Sequence, residues 1–213
     1  MAKSQSPLWG IDASGAIGDA VVYAKWKGIK YVRRYVIPAN PRTAEQMLTR
    51  NVFTFLNQLW SVAPALLREP FVAYASGKPL TDRNAFIQQN IPGLRTSTNL
   101  LPFVASPGVL GGFPLVALTA TAEAGTINAQ AGVPDLPAGW SVSHVVFIVI
   151  SDQDPHESFS GVVLADTDTM SPYGVSFTGL AAGSYVVSAY ARYLRPDGKF
   201  AYSPSRIVAV TVS

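Results

Sequence analysis

The densest group of side chains able to do chemistry is Asp152, Asp154, His156 and Glu157, with Asp166 and Asp168 a little further on. Oxygen ligands at alternate positions suit calcium, but the calcium loop of helical proteins needs further acids and a central glycine that are absent here. Ser158 and Ser160 lie beside His156, the local pair from which a nucleophile and its base would be made. The Gly-x-Ser-x-Gly elbow that presents such a serine is missing. The five acids also offer pairs for glycoside hydrolysis, yet acids and proline at this density are what connections between strands carry, because they build turns. The residues therefore read as a solvated strand connection, and His144, beside an apolar strand, as a packed histidine rather than a ligand. No catalytic, metal-binding or cofactor-binding residue is assigned. The chain is expected to be non-enzymatic and to need no cofactor.

A second cluster has a different character. Lys25, Trp26, Lys27, Lys30, Tyr31, Arg33, Arg34, Tyr35 and Arg42 interleave cations with aromatics. Cations can neutralise phosphates while aromatic rings stack on bases, which makes nucleic acid one reading. Arg and aromatic residues are also the types enriched at protein interfaces, and a basic arm can dock on an acidic subunit surface. Docking on protein is the reading favoured here, because the cluster is short and the chain's apolar excess asks for subunit contacts. The plain alternative is an edge hairpin whose lysines guard against aggregation.

The elements that must position these residues can be read from the pattern. Ala20 to Trp26 and Ile29 to Ile37 are rich in Val, Tyr and Ile and flank Lys27-Gly28, which suits a hairpin. Pro38 and Pro41 exclude helix and central strand. Thr43 then predicts a helix start, with Gln46 in the capping-box position. Leu48, Val52, Phe55, Leu56, Leu59 and Ala63 form its apolar stripe, with Trp60 beside it, until Pro64. A proline-interrupted helix is predicted over Ala65 to Ser76, and a third from Thr81 to Asn90, ended by Pro92-Gly93. From there the period changes. Leu115 to Ala122, Thr126 to Ala131, Ser143 to Ser151, Gly161 to Asp166, Ser171 to Phe177, Gly183 to Leu194 and Phe200 to Ser213 are predicted strands separated by turn residues, which suggests a sandwich. Val145 to Ile150 is apolar on both faces, as in a central strand with a second buried side.

Composition sets the frame. The chain has 213 residues, of which 14% are charged and 48% hydrophobic, so it is charge-poor with ample material for a core. It has no cysteine and two histidines, which removes thiol chemistry, disulfides and thiolate zinc sites. The longest apolar run, Val145 to Ile150, is far below the roughly 18 residues of a membrane span. Met1 to Pro7 shows no secretory signal, so cytoplasmic synthesis without a membrane stage is expected. A soluble chain this apolar is expected to cover part of its surface in a homo-oligomer or larger assembly. Residues 1 to 105 hold 12 Lys+Arg and 5 Asp+Glu, whereas residues 106 to 213 hold 4 and 8. The basic and acidic halves meet in a Gly/Pro/Ser-rich stretch. The expected organisation is an α+β hairpin-and-helix anchoring domain over 1–95, an extended apolar arm over 96–114, and an all-β immunoglobulin-like sandwich over 115–213. Phe103 and Phe113 on the arm join Lys25, Trp26, Lys27, Tyr31, Arg33, Arg34, Tyr35 and Arg42 as expected assembly contacts.

Two resemblances follow from particular residues. The run from Phe177 through Leu180, Gly183, Tyr185 and Tyr190 to Arg192 resembles the strand-turn-strand signature of fibronectin type III and related immunoglobulin-like domains, in which a Leu, a Gly and a Tyr mark a corner. Tyr185 follows Leu180 one position sooner than in that pattern, and Thr126 to Ala131 has no tryptophan. Gly18, Val21 to Tyr23, Trp26 to Gly28, Tyr31 to Arg33, the Asn40-Pro41-Arg42-Thr43 motif, Gln46, Arg50 and Phe53, with Arg83 to Phe86 and Asn90, resemble a family of phage and prophage proteins in which a hairpin runs into such a helix. That resemblance implies a structural component of a tailed-phage virion, with the sandwich as a displayed unit. A capsid-associated decoration or minor structural protein is the first placement. A tail-associated adhesion protein and a nucleic-acid-binding protein using the basic hairpin are the alternatives. Expected partners are other virion proteins and further copies of the chain, with host-surface carbohydrate at exposed loops such as Asp152 to Glu157 and Asp166 to Ser171. Nucleic acid is disfavoured as a partner.

Overall fold

The computed structural model describes residues 14–26, 29–37 and 39–213, which fall into two compact units divided between Arg42 and Thr43. In the first unit, strands β1 (Gly15–Ile17), β2 (Val21–Trp26) and β3 (Ile29–Arg34) form an antiparallel sheet in the order β1-β2-β3. The expected hairpin is present, with β1 as a third strand too short to stand out by alternation. Its turn, Lys27-Gly28, lies outside the described residues, as does Pro38.

The second unit has three layers. Helices α1 (Ala44–Val62), α2 (Ala65–Ala75) and α3 (Asp82–Leu94) cover one face of a six-stranded sheet. That sheet runs β4-β11-β10-β7-β8, with β12 also paired to β10. Its strands are β4 (Pro107–Val109), β7 (Ser141–Ser151), β8 (Val163–Asp168), β10 (Gly183–Leu194), β11 (Phe200–Pro204) and β12 (Arg206–Val212). The opposite face packs on a three-stranded sheet of β5 (Ala117–Glu123), β6 (Thr126–Gly132) and β9 (Tyr173–Thr178). The strand predicted from Phe200 to Ser213 is thus two strands, both antiparallel to β10, with the register shifted by one residue between them.

The all-apolar run in β7 now has its cause. Alternate side chains of a strand point to opposite faces. Val146, Ile148 and Ile150, with Val186 and Tyr190 of β10, face the helices. Val145, Phe147 and Val149, with Val187, Ala189 and Tyr193, face the small sheet. Both faces are buried, so neither can carry polar groups without partners.

This shared core corrects the expected domain boundary near residue 95. Val52, Phe55, Leu56 and Leu59 of α1, Leu67 and Phe71 of α2 and Phe86 of α3 pack in one cluster with β7 and β10, so the helices belong with the sandwich rather than with the hairpin. Segment 96–114 is likewise no free arm. Leu100, Phe103, Ala105 and Val109 are buried in that same cluster. Asn90 Nδ2 donates to Val104 O at 3.0 Å while its Oδ1 accepts from Val104 N at 2.7 Å, fastening the segment to α3. Gly112 lies so close to β11 that a Cβ would stand 2.1 Å from Tyr202 O, which explains the glycine there.

Helix ends differ from expectation in two places. Thr43 is the N-cap of α1, but its side chain makes no capping hydrogen bond, so the capping box is not formed. α3 continues through Pro92 to Leu94, although the proline removes the bond its nitrogen would have donated to Gln88 and its ring crowds that carbonyl, a cost confined to the last turn. Thr81 does cap α3, its hydroxyl accepting from Asn84 N at 3.2 Å.

Candidate functional site

The interleaved cations and aromatics sit on β2 and β3. Cross-strand pairing sorts them into two faces: Val22 is opposite Arg33, Ala24 opposite Tyr31 and Trp26 opposite Ile29, while Val21 is opposite Arg34, Tyr23 opposite Val32 and Lys25 opposite Lys30. One face therefore carries Trp26, Ile29 and Tyr31 with the single cation Arg33. The other carries Lys25, Lys30 and Arg34 among Ile17, Val21, Tyr23 and Val32. None of the described residues of this unit is buried, and Trp26 and Ile29 are 64% and 67% exposed. Lys25, Tyr31, Arg33, Arg34 and Arg42 are exposed and Tyr35 is half-buried. Arg42 adopts a left-handed backbone at φ 44°. Of the expected contacts, Lys25, Trp26, Tyr31, Arg33 and Arg34 thus share one small sheet, divided between its two faces, whereas Tyr35 and Arg42 follow β3 and Lys27 lies outside the described residues.

The two aromatic contacts expected on the arm are elsewhere. Phe103 is 3% exposed and meets the Phe86 ring edge-on at 5.9 Å, so it is a core residue of the second unit and not an assembly contact. Phe113 stacks edge-on against Trp140 at 5.0 Å and Tyr193 at 5.9 Å. Leu100, Phe103 and Val109 of this Gly/Pro-rich stretch find their cover within their own chain, whereas Leu101 and Leu110 stay exposed.

The acidic run is also internal in part. Asp152 Oδ1 accepts from Leu100 N at 2.8 Å, and Asp154 Oδ1 lies 2.7 Å from His156 Nδ1. His156 Nε2 is 3.1 Å from Arg95 O, so both ring nitrogens face oxygen acceptors. Phe159 N donates to Gln58 Oε1 at 2.8 Å, and the Phe159 ring meets Phe55 edge-on. The loop expected to face outward instead ties the sandwich to α1 and to the end of α3. Among the described residues there is no group of three or more His, Cys, Asp or Glu arranged to hold a metal ion. Asp168 is different: it accepts from Gly174 N and Met170 N, which hold its carboxyl below the usual carboxylate range and shape the β8–β9 loop.

A polar cluster that the sequence did not signal lies between α2 and the large sheet. Glu69 Oε1 is 2.7 Å from Arg192 Nη1 and accepts from Tyr202 OH at 3.1 Å. Tyr190 OH donates to Leu66 O, and the Arg192 guanidinium lies 3.6 Å from the centre of the Phe200 ring. Burial, with the nearby Glu69 carboxylate, pushes the Tyr202 phenol up to about 12 and that of Tyr190 well above its ordinary value. Burial, aided by Arg192, holds His144 below its ordinary value. Strong shifts of this kind often mark active sites, but here Glu69, Tyr190, Arg192 and Tyr202 join a helix to a sheet. Glu69 stands 123 positions before Arg192, a separation at which single-sequence patterns carry no pairing signal. No helix among the described residues is long and apolar enough to cross a membrane.

No family model matches the chain, and no curated protein does. Among solved structures, one described as fibronectin(III)-like modules of Clostridium thermocellum CbhA is similar at 28% identity and a TM-score of 0.29, over 46% of this chain and 92% of its own. A structure described as that of a myokine is similar at 14% identity and a TM-score of 0.35, over 48% of this chain and 100% of its own. The chain's own strand order defines the class. Sheets β5-β6-β9 and β8-β7-β10-β12 face each other, with the chain crossing between them after β6, β8 and β9. Tyr185 OH donates to Ala181 O at 2.9 Å, closing the corner that the Leu, Gly and Tyr spacing announced. The C-terminal part is a fibronectin type III-like, immunoglobulin-like sandwich.

Proposed function

We propose that the chain is a non-enzymatic structural protein of a tailed-phage virion, a capsid-associated decoration or minor structural protein that displays an immunoglobulin-like domain. The observation that carries this reading is the N-terminal sheet, which is basic and aromatic and has no buried residue among those described, beside a second unit with its own two-sided core. A three-stranded sheet needs a covered apolar face to be stable by itself, and cover by other proteins would supply it. The motif residues shared with phage and prophage proteins add to it. Gln46, Arg50 and Phe53 share one stripe of α1 by their spacing and are all exposed, with Phe53 at 48%, opposite in role to the buried Val52, Phe55, Leu56 and Leu59. Residues that repeat a pattern without serving the core serve a surface.

In this reading the partners are other virion proteins and further copies of the chain, and many weak contacts made together give tight attachment. The sandwich is presented outward. Its loop Asp166 to Ser171, with Met170 75% exposed, is the remaining candidate for contact with host-surface carbohydrate, since Asp152 to Glu157 is occupied internally. The head is the first placement and the tail the alternative. The test is immunodetection in gradient-purified phage particles, followed by gold labelling in the electron microscope. Label confined to heads supports the decoration role and label on tails the alternative. A chain that stays wholly in the soluble lysate overturns the reading.

A further inference from the structure

Resting on that assembly reading, we infer that the N-terminal sheet docks on a second copy of this chain, at the acidic end of that copy's sandwich. The first unit, residues 1–42, has seven Lys and Arg against two Asp, while residues 43–213 have nine against eleven acids, so the two units carry opposite net charge. Two basic sheets repel each other, which disfavours a contact between two sheets and favours sheet on body.

The acidic end is defined by strand pairing. Asp168 is opposite Val145, Ala131 opposite Tyr173 and Leu194 opposite Ser141, which gathers the loops after β6, β8 and β10 at one end of the sandwich. Asp135, Asp166 and Asp168 stand there beside exposed Met170, Leu194 and Phe200. Of the cations nearby, Arg195 pairs with Asp197 at 3.4 Å and Arg192 with Glu69 at 2.7 Å, which leaves Lys199 against those three acids. The sheet offers the complement, with Lys25 and Arg34 on a face that also exposes Ile17 and Val32. Exposed Ile and Val among the cations suit a protein surface and gain nothing from a phosphate backbone. Sheet on body joins two different patches, so it propagates head to tail into a ring or an open filament.

The test is the solution mass of the full chain by light scattering, over a concentration series at low and high salt, with the absorbance ratio read for nucleic acid. Three variants are compared: Lys25→Glu with Arg34→Glu, Asp135→Lys with Asp166→Lys, and the combination of all four. All sites are exposed, and circular dichroism checks that each variant is folded. The expected result is salt-weakened self-association of the wild type, weakened about 10-fold or more in each partial variant and regained when the two partial variants are mixed. The fourfold variant, complementary again, also regains it. A monomer at every concentration overturns the inference, as does association that the variants leave unchanged, or association that depends on bound nucleic acid. A monomeric chain still found in purified particles sinks this inference alone. Self-association of a chain absent from particles sinks the virion reading alone.

Discussion

Glu69→Ala isolates the polar contact that joins α2 to the large sheet. Its Oε1 serves both Arg192 Nη1 and Tyr202 OH, and the two charged side chains are 21% and 27% exposed. Removing the carboxylate leaves a mostly covered guanidinium whose Nε already has no partner among the described groups. A charge-assisted hydrogen bond contributes about 1.5–3 kcal/mol and a fully buried broken pair costs more, so partial exposure sets the expected loss near 2–3 kcal/mol. For a body of this size that is about 4–12 °C in Tm. Glu69→Gln keeps an acceptor and is expected to lose about half as much. The assay is urea unfolding followed by circular dichroism for the helices and tryptophan fluorescence. Both probes are expected to move together to a lower midpoint with an unchanged slope, because the shared core leaves no weaker boundary. A loss below about 0.5 kcal/mol, or a separate helical transition in the variant, would refute the reasoning.

Three further outcomes are expected. Phe103→Ala costs about 3–5 kcal/mol in chemical denaturation and leaves association unchanged, whereas an assembly contact would show the reverse. Tyr185→Phe removes the bond to Ala181 O and costs about 1 kcal/mol, measured by the same unfolding curves, with a negligible change contradicting the corner's role. Burial holds the phenols of Tyr193 and Tyr202 at about 12 against an ordinary 10, so the fold favours their protonated form. Their contribution to stability is then constant below pH 10 and falls from 10 to 12 by at most about 1.4 kcal/mol per pH unit for each. Phenolate absorbance that rises in step with unfolding would agree; early, non-cooperative ionisation of all tyrosines would not.

The sequence was most legible where a pattern is local. β7 declared both its faces by an unbroken apolar run, the stripe of α1 followed its period, and the corner tyrosine was placed by four residues of spacing. Layering was less legible. A stripe such as Val52, Phe55 and Leu59 shows that a helix face is buried but not against what, and β7 needed two covers that composition could not assign. Phe103 was misread for the same reason, since apolar residues in a Pro/Gly-rich stretch show only that cover is needed. The basic sheet was legible in its residue types, while its division into an aromatic and a cationic face depended on the register between β2 and β3. Glu69 with Arg192 was invisible, being a pairing across the whole body.

The central claim is that the N-terminal sheet awaits a partner. Amide hydrogen exchange across Val21–Trp26 and Ile29–Arg34, followed by mass spectrometry on the purified chain at rising concentration, tests it most directly. The account predicts fast exchange of these strands in dilute protein and slowing as the chain associates, while β7 and β10 stay protected throughout. Strands β2 and β3 as slow as β7 at the lowest concentration would contradict it.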